Sequence, residues 1–250
     1  MSVSFCVPVA YDWRLLPASM AGYYDVADEI IVGVDENRRT WAGTAFDLDM
    51  SSLMSALPDP DRKIRFVEES FFDPRSTPIE NDCRERERLA LHARNDLVAE
   101  VDADELVDGA ALVAAAERLP TGHQLYAPLS HVFKVIGDTA LIVDDPNGGE
   151  LCALATRSRR RRFARQTGEP AEPADFVVHH NTLGRSETEV AEKLFGWGHA
   201  DQVRPGFLDM WRSIGLENYR DARNVHPFIP MRWPGLKAAP LSTRLQCQSH

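Results

Sequence analysis

Cysteine is scarce in the 250-residue chain, and its spacing excludes two kinds of site. The four cysteines are far apart, and no two of them form a CxxC pair: Cys6, Cys83, Cys152 and Cys247. A zinc knuckle and a disulfide framework are therefore not indicated, and this cysteine usage fits a reducing compartment.

Long apolar runs are also missing from the sequence. No segment approaches the roughly 20 apolar residues that a membrane-spanning helix needs. The first residues, MSVSFCVPVAYDWR, lack the charged region and the long apolar region of a signal peptide. We therefore expect a cytoplasmic protein without a transmembrane segment.

Positive charge is in deficit, since 28 Lys and Arg face 38 Asp and Glu, a formal net charge of -10. This balance argues against nucleic acid as a partner, because nucleic acid is held mainly by cations that neutralise its phosphates. The one basic run, RSRRRRFAR at residues 157–165, is therefore interpreted as a mobile lid or a surface patch. The remaining composition, 44% hydrophobic and 26% charged, is that of a globular protein with a sizeable core.

In its first half the sequence alternates strand-like and helical patterns. Short apolar runs occupy residues 3–7, 30–34, 63–69 and 97–101, and helical patterns occupy residues 15–24, 47–57 and 80–94. This alternation predicts parallel βαβ units and therefore an α/β domain. The third helical pattern is rich in charge, and we expect that helix to be exposed.

In its second half the sequence predicts antiparallel strands. Residues 109–120 form a helical pattern that begins after Asp108, a candidate N-cap, and ends at Pro120. Two extended stretches then flank a Gly-Asp turn at residues 137–138. Further strands are predicted at residues 151–156 and 175–180, and a helix is predicted from Ser186 to about Trp197.

Acidic residues crowd the ends of two predicted strands. Asp35 ends the second strand, and Asp102, Asp104 and Glu105 follow the fourth in the stretch LVAEVDADELVDG. Crowded acids cost stability unless a cation meets them, and ligands gather beyond the carboxyl ends of parallel strands. Hard oxygen ligands suit Mn²⁺ or Mg²⁺ beside a nucleotide diphosphate. The alternative is a turn whose acids cap the next helix.

Four stretches together resemble one family, the GT-A fold glycosyltransferases similar to family 2. They are VSFCVPVAYDW, VADEIIVGVDEN, the Asp-x-Asp stretch VDADEL, and VVHHNTLGRSETEVAEKLFGWGHA. The resemblance implies an α/β GT-A domain over residues 1–250, with a mixed central sheet flanked by helices and a C-terminal helical segment. Residues 1–108 would form the nucleotide-binding half and 109–200 the acceptor-binding half, and 201–250 a helix and an extended tail.

The resemblance also implies roles for individual residues. Three residues after the first strand would frame the pocket for the base and ribose: Pro8, Val9 and Ala10. Asp35 would bind the nucleobase, and Asp102 would contact the ribose or a metal-bound water. Asp104 would ligate the metal, and His180, or else His179, would be a further contact to the metal or diphosphate.

A capping box starts the last predicted helix, because Ser186 and Glu189 have the S-x-x-E spacing. Arg185 precedes this cap, and together with the helix N-terminus it is a candidate phosphate contact. Lys193 and His199 lie further along the chain, and we interpret both as structural.

Transfer with inversion needs a carboxylate that removes the acceptor's proton. The candidates are Asp144, Asp145 and Glu187, of which the first two follow an apolar strand and precede the flexible stretch PNGGE. The alternative for each acid is a solvated position with no chemical role.

The sequence therefore predicts a metal-dependent, inverting glycosyltransferase. Its donor would be a UDP-, GDP- or dTDP-sugar, and its acceptor the hydroxyl or amine of a small molecule or glycan. The alternative is a non-catalytic module of the same fold that binds nucleotide sugars or carbohydrates. A nucleotidyltransferase is disfavoured, because residues 7–19, VPVAYDWRLLPAS, contain no glycine for a phosphate loop.

Overall fold

The computed structural model describes residues 2–241, and a mixed β-sheet runs through them. The strands are β1 Val3–Val9, β2 Glu29–Asp35, β3 Ile64–Glu69, β4 Leu97–Glu100, β5 Glu105–Leu106, β6 Gln124–Ile136, β7 Thr139–Asp144, β8 Leu151–Thr156, β9 Ala171–Pro173, β10 Val178–His180 and β11 Gly235–Pro240. The helices are α1 Leu16–Met20, α2 Met50–Ala56, α3 Pro78–His92, α4 Gly109–Glu117, α5 Glu187–Gly196 and α6 Phe207–Ser213.

One half of the sheet is parallel, in the order β3-β2-β1-β4. Every residue of β1 and β2 is buried, as expected for parallel strands covered on both faces. Phe5 pairs with Ile30 and Ala99, and Ile30 pairs with Ile64, so the four strands end at one edge of the sheet.

The other half is antiparallel and continues from β4 through β8, β6, β7 and β11. The short strand β10 lies antiparallel to β5 and parallel to β6, with His180 opposite both Glu105 and His131. This pairing carries β10 to the acids that follow β4. The predicted change from parallel to antiparallel strands is confirmed.

Helices cover both faces of the sheet. Leu16, Leu53 and Leu112, from α1, α2 and α4, join the largest apolar cluster with β1 and β2. Leu89 and Ala90 of α3 pack with strand residues in a separate cluster. The α/β class, with a mixed central sheet flanked by helices, is therefore confirmed.

The first helix is shorter than the pattern of residues 15–24 predicts, since α1 spans five residues between 3-10 turns. Gly22 follows its end, at a position where a Cβ would lie 2.4 Å from the carbonyl oxygen of Val107. Asp108 caps α4 as predicted, and its side chain accepts a hydrogen bond from the Ala111 amide at 3.0 Å.

Two further findings concern the helices and the cysteines. Over residues 2–241, no helix is both long enough and apolar enough to cross a membrane. Cys6, Cys83 and Cys152 are free thiols. Cys247 and the last part of the predicted tail, residues 242–250, lie outside the described residues.

Candidate functional site

A cleft of about 580 Å³ opens at the carboxyl ends of β1, β2 and β4. Pockets for small ligands have volumes in this range. Seven of the residues that the sequence assigns to the nucleotide or the metal line it: Pro8, Val9, Ala10, Asp35, Asp102, Asp104 and His180. The topology therefore brings together residues from four separate stretches of the chain.

Asp35 holds the backbone at the end of β2. Its Oδ1 accepts hydrogen bonds from the amides of Asn37 and Arg39 at 2.9 and 3.1 Å. Its Oδ2 accepts from the amides of Phe71 and Phe72 at 2.9 and 3.0 Å. A carboxylate has about four acceptor positions, so this one is saturated. These bonds fix the chain beyond β2, and the predicted contact of Asp35 to a nucleobase stays a prediction.

Asp104 is the centre of a buried cluster of cations, with its side chain 1% exposed. Its Oδ2 accepts a charge-assisted hydrogen bond from the guanidinium of Arg185, and it lies 2.5 Å from Lys193 Nζ and 3.1 Å from His180 Nε2. Burial alone would raise the pKa of Asp104, but the charges of these three partners hold it well below its usual range. The carboxylate is therefore ionised, and its Oδ2 atom is met by three side chains.

Asp102 and Glu105 share a second pair of cations. Asp102 lies 2.9 Å from both Arg86 and Arg165, and Arg165 also reaches Glu105 at 2.5 Å. Arg86 in turn lies 2.5 Å from Asp82, one turn away on α3. The acids that follow β4 are thus met by cations of the chain itself.

The basic run at residues 157–165 is not a solvated patch, so that expectation is wrong for its key members. Arg161 is buried and pairs with Glu100 of β4 at 2.9 Å. Arg165 pairs with Asp102 and Glu105, and its side chain is 11% exposed. Buried carboxylates need such partners, so the run clamps the end of β4 while Phe163 lines the cleft.

The carboxylates in this arrangement do not fit a divalent metal ion. Two cationic side chains and His180 already occupy the Oδ2 atom of Asp104, and two arginines meet Asp102. Among residues 2–241 there is no group of three His, Cys, Asp or Glu side chains placed to hold a metal. His180 lies beside Asp104, and its Nε2 is within hydrogen-bond distance of the carboxylate at 3.1 Å.

The three predicted bases lie outside the cleft lining. Asp144 ends β7 and is 3.3 Å from Lys237, and Asp145 accepts a hydrogen bond from the Asn147 amide in the following turn. Glu187 begins α5 and pairs with Arg212. Asp144 and Glu187 are more than half exposed, so the solvated alternative describes these acids best.

A different acid from the same turn, Glu150, does line the cleft. It lies 3.4 Å from His226 Nε2 and accepts a hydrogen bond from Trp233 Nε1 at 2.9 Å. Burial alone would raise the pKa of Glu150, but His226, His131 and Arg232 lower it to about 2. The sequence carries no signal for this contact, because its partners lie up to 83 residues away along the chain.

The helix α3 contributes buried charge where an exposed helix is expected. Asp82, Glu85 and Arg86 are buried and line the cleft, and Trp41 donates a hydrogen bond from Nε1 to Glu85 at 2.6 Å. Burial raises the pKa of Glu85 to about 8. The i,i+4 spacing of Asp82 and Arg86 predicts a salt bridge on the helix surface, but it does not predict that this salt bridge is buried.

Several buried polar atoms of the cleft have no hydrogen-bond partner within the described residues. They are Glu85 Oε1, Arg86 Nη1, Asp102 Oδ1, His131 Nε2, His180 Nδ1, Trp197 Nε1 and His199 Nδ1. Buried polar groups are nearly always hydrogen-bonded. These atoms therefore indicate that the cleft is built for a polar ligand.

Arg185 and Lys193 do not lie where the sequence predicts. Arg185 does not line the cleft but reaches Asp104 from behind it, and its Nε donates to the Asn181 carbonyl at 3.0 Å. The capping box of Ser186 and Glu189 forms as predicted. Lys193, interpreted from the sequence as structural, lines the cleft.

Comparison with known proteins gives partial structural likenesses. Neither a protein-family model nor a curated protein matches the sequence. Residues 1–349 of S. aureus TarS match with a TM-score of 0.35 and 16% identity over 53% of this chain and 36% of that chain. A Mycobacterium tuberculosis glucosyl-3-phosphoglycerate synthase, solved with Mn²⁺, UDP and phosphoglyceric acid, matches with a TM-score of 0.36 and 12% identity over 52% of this chain and 43% of that chain.

The matched structures are GT-A glycosyltransferases. TarS has also been solved with UDP-GlcNAc, and the synthase with Mn²⁺ and UDP-Glc. This chain spans less than half the length of each matched chain. At these scores the likeness carries no conclusion about what this chain binds or does.

Proposed function

We propose that the protein is a glycosyltransferase that moves a sugar from a nucleotide-diphosphate donor to a hydroxyl or amine acceptor. One observation carries the proposal: all but one of the residues that the sequence assigns to donor binding line a single cleft at the strand ends, the exception being Arg185. In open α/β sheets this edge is where nucleotides bind.

The nucleoside would bind between the end of β1 and α3. Pro8 and Ala10 line this part of the cleft with Trp41, which offers an aromatic face to a base. Glu85 Oε1 and Arg86 Nη1 have no partner among the described residues. With its raised pKa, Glu85 is protonated at neutral pH, so it can donate a hydrogen bond to a base carbonyl.

The reaction has two requirements, a stabilised leaving group and a base. Cations that line the cleft meet the first: Arg86, Arg165 and Lys193. For the second we propose Asp12, which lines the cleft at the end of β1. Burial and the charge of Asp104 raise the pKa of Asp12, and a raised pKa suits a carboxylate base. Inversion at the anomeric carbon follows from the family resemblance.

A second candidate function is a non-catalytic module that binds nucleotide sugars. The observation that favours it is the position of Asp144, Asp145 and Glu187, none of which lines the cleft. The two candidates differ in turnover and not in donor binding. Asp12→Asn separates them further, since it stops transfer by an enzyme but leaves donor affinity within severalfold.

Calorimetric titration with UDP-, GDP- and dTDP-sugars tests the proposed site. We expect one nucleotide class to bind and to raise the melting temperature, as any ligand selective for the folded state does. Ala10→Trp fills the cleft and should abolish binding. Ala114→Trp is the matched control, because Ala114 is an exposed residue of α4 outside the cleft lining. Absence of binding by all three classes would refute the proposed function.

A further inference from the structure

We infer that Lys193, and not a divalent metal ion, neutralises the diphosphate of the donor. The inference rests on the proposed function and concerns the same cleft. It departs from the metal dependence predicted from the Asp-x-Asp stretch, because the structure supplies a cation where that stretch predicts a metal.

Lys193 is held firmly in the cleft. It lies on α5, whose start is fixed by the capping box of Ser186 and Glu189. Its side chain is 6% exposed, and its Nζ lies 2.5 Å from Asp104 and 3.4 Å from His180 Nε2. Burying a lysine is costly unless it is paired, so this placement requires the carboxylate of Asp104.

Asp104 alone meets two cations, Arg185 and Lys193. A separate group of ion pairs joins three carboxylates, Asp82, Asp102 and Glu105, to two arginines, Arg86 and Arg165. A divalent ion bound at Asp104 would face Lys193 and Arg185 across a few ångströms, and like charges at that distance repel strongly in a buried site.

A diphosphate is negatively charged, so the cations that would repel a metal ion attract it. The lysine ammonium has three donors, so while Asp104 holds it in place it can still donate to a phosphate oxygen. Arg86 and Arg165 also line the cleft and add fixed positive charge. In this arrangement Asp104 positions Lys193, and Lys193 contacts the leaving group, where a fixed cation stabilises developing negative charge.

Titrations with nucleoside diphosphates in EDTA test this role. We expect UDP, GDP or dTDP to bind the wild type in EDTA. Lys193→Gln should weaken that binding about tenfold to a hundredfold, as loss of a charged hydrogen bond does, and should leave the weaker binding of the free nucleoside unchanged. Lys193→Arg should restore most of the affinity. Lys237→Gln is the control, since Lys237 is exposed and pairs with Asp144 outside the cleft.

Asp104→Asn gives a further contrast, because the two accounts predict different results. If a metal bridges Asp104 and the diphosphate, the variant loses the diphosphate. If Lys193 is the cation, the amide oxygen of the variant still accepts a hydrogen bond from it, and diphosphate affinity in EDTA falls less than in Lys193→Gln. Titration of Mn²⁺ by electron paramagnetic resonance is the independent readout, and we expect no Mn²⁺ bound at Asp104 in the wild type with or without nucleotide.

The possible results are distinguishable. Diphosphate binding in EDTA that depends on Lys193 supports the inference. Diphosphate binding that requires Mn²⁺ and is lost in Asp104→Asn overturns it and leaves the proposed function standing. Failure of every nucleotide to bind, with and without metal, overturns both. Equal affinity of wild type and Lys193→Gln in EDTA also overturns the inference.

Discussion

Asp104→Asn should be among the most destabilising conservative substitutions in the protein. The change removes the negative charge that Arg185, Lys193 and His180 share, while those groups stay buried. Removing one partner of a buried ion pair costs about 3–5 kcal/mol. For a chain of this size, about 2–4 °C of melting temperature corresponds to each kcal/mol, so the loss should be roughly 6–20 °C.

The loss should also depend on pH in a defined direction. Its charged partners hold the pKa of Asp104 well below the usual range. Because the folded-state pKa is depressed, its stabilising contribution is complete above the ordinary pKa and is lost as pH falls through the folded value. The difference in stability between wild type and Asp104→Asn should therefore be largest above about pH 4 and shrink at more acid pH.

Urea denaturation and calorimetric melting measure this difference directly. Asp138→Asn is the matched control, because Asp138 is exposed in the turn between β6 and β7, and surface substitutions stay within about 0.5 kcal/mol. An Asp104→Asn protein as stable as the control would refute the buried ion-pair cluster, and with it the assignment of Lys193.

Three further predictions follow from the same contacts. Arg165→Gln should lower the free energy of unfolding by about 3–5 kcal/mol. The control Arg162→Gln, at an exposed position, should lower it by less than about 0.5 kcal/mol. Equal effects of the two substitutions in urea denaturation would contradict the buried pairing of Arg165 with Asp102 and Glu105. Three acids lie outside the cleft: Asp144, Asp145 and Glu187. Substituting each by its amide should change turnover by less than about twofold. A large loss of turnover in steady-state assays would identify that acid as the catalytic base in place of Asp12. Burial raises the pKa of Glu85 from 4.5 to about 8, so the wild type should lose stability relative to Glu85→Gln as pH rises between these values in melting experiments; a constant difference would contradict a buried, protonated Glu85.

The architecture could be predicted from local patterns. Residues 3–7 and 30–34 are apolar runs of strand length separated by one helical pattern, and this alternation is enough to place β1 and β2 side by side. The capping box at Ser186 and the N-cap at Asp108 also depend only on neighbouring residues. Such signals are readable because their cause lies within a few positions.

The partners of the acids could not be predicted in the same way. Lys193 lies 89 residues after Asp104, and Arg165 lies 63 residues after Asp102. These distant cations neutralise the acids of the Asp-x-Asp stretch, and no regular sequence spacing connects the cations with the acids. The basic run illustrates the same limit, because a string of arginines suggests a surface until the fold shows that Arg161 meets Glu100 in the interior.

The central claim is that the protein transfers a sugar from a donor bound in the cleft. The most direct test is to measure whether the protein consumes the donor in the presence of acceptors. The nucleotide sugar identified by calorimetry is incubated with the protein and a library of glycans and small hydroxyl or amine acceptors, and released nucleoside diphosphate is measured. We predict release that increases with one class of acceptor and that Asp12→Asn and Ala10→Trp both abolish. Tight donor binding with no release above buffer across the library would contradict the claim and identify the protein as a binding module.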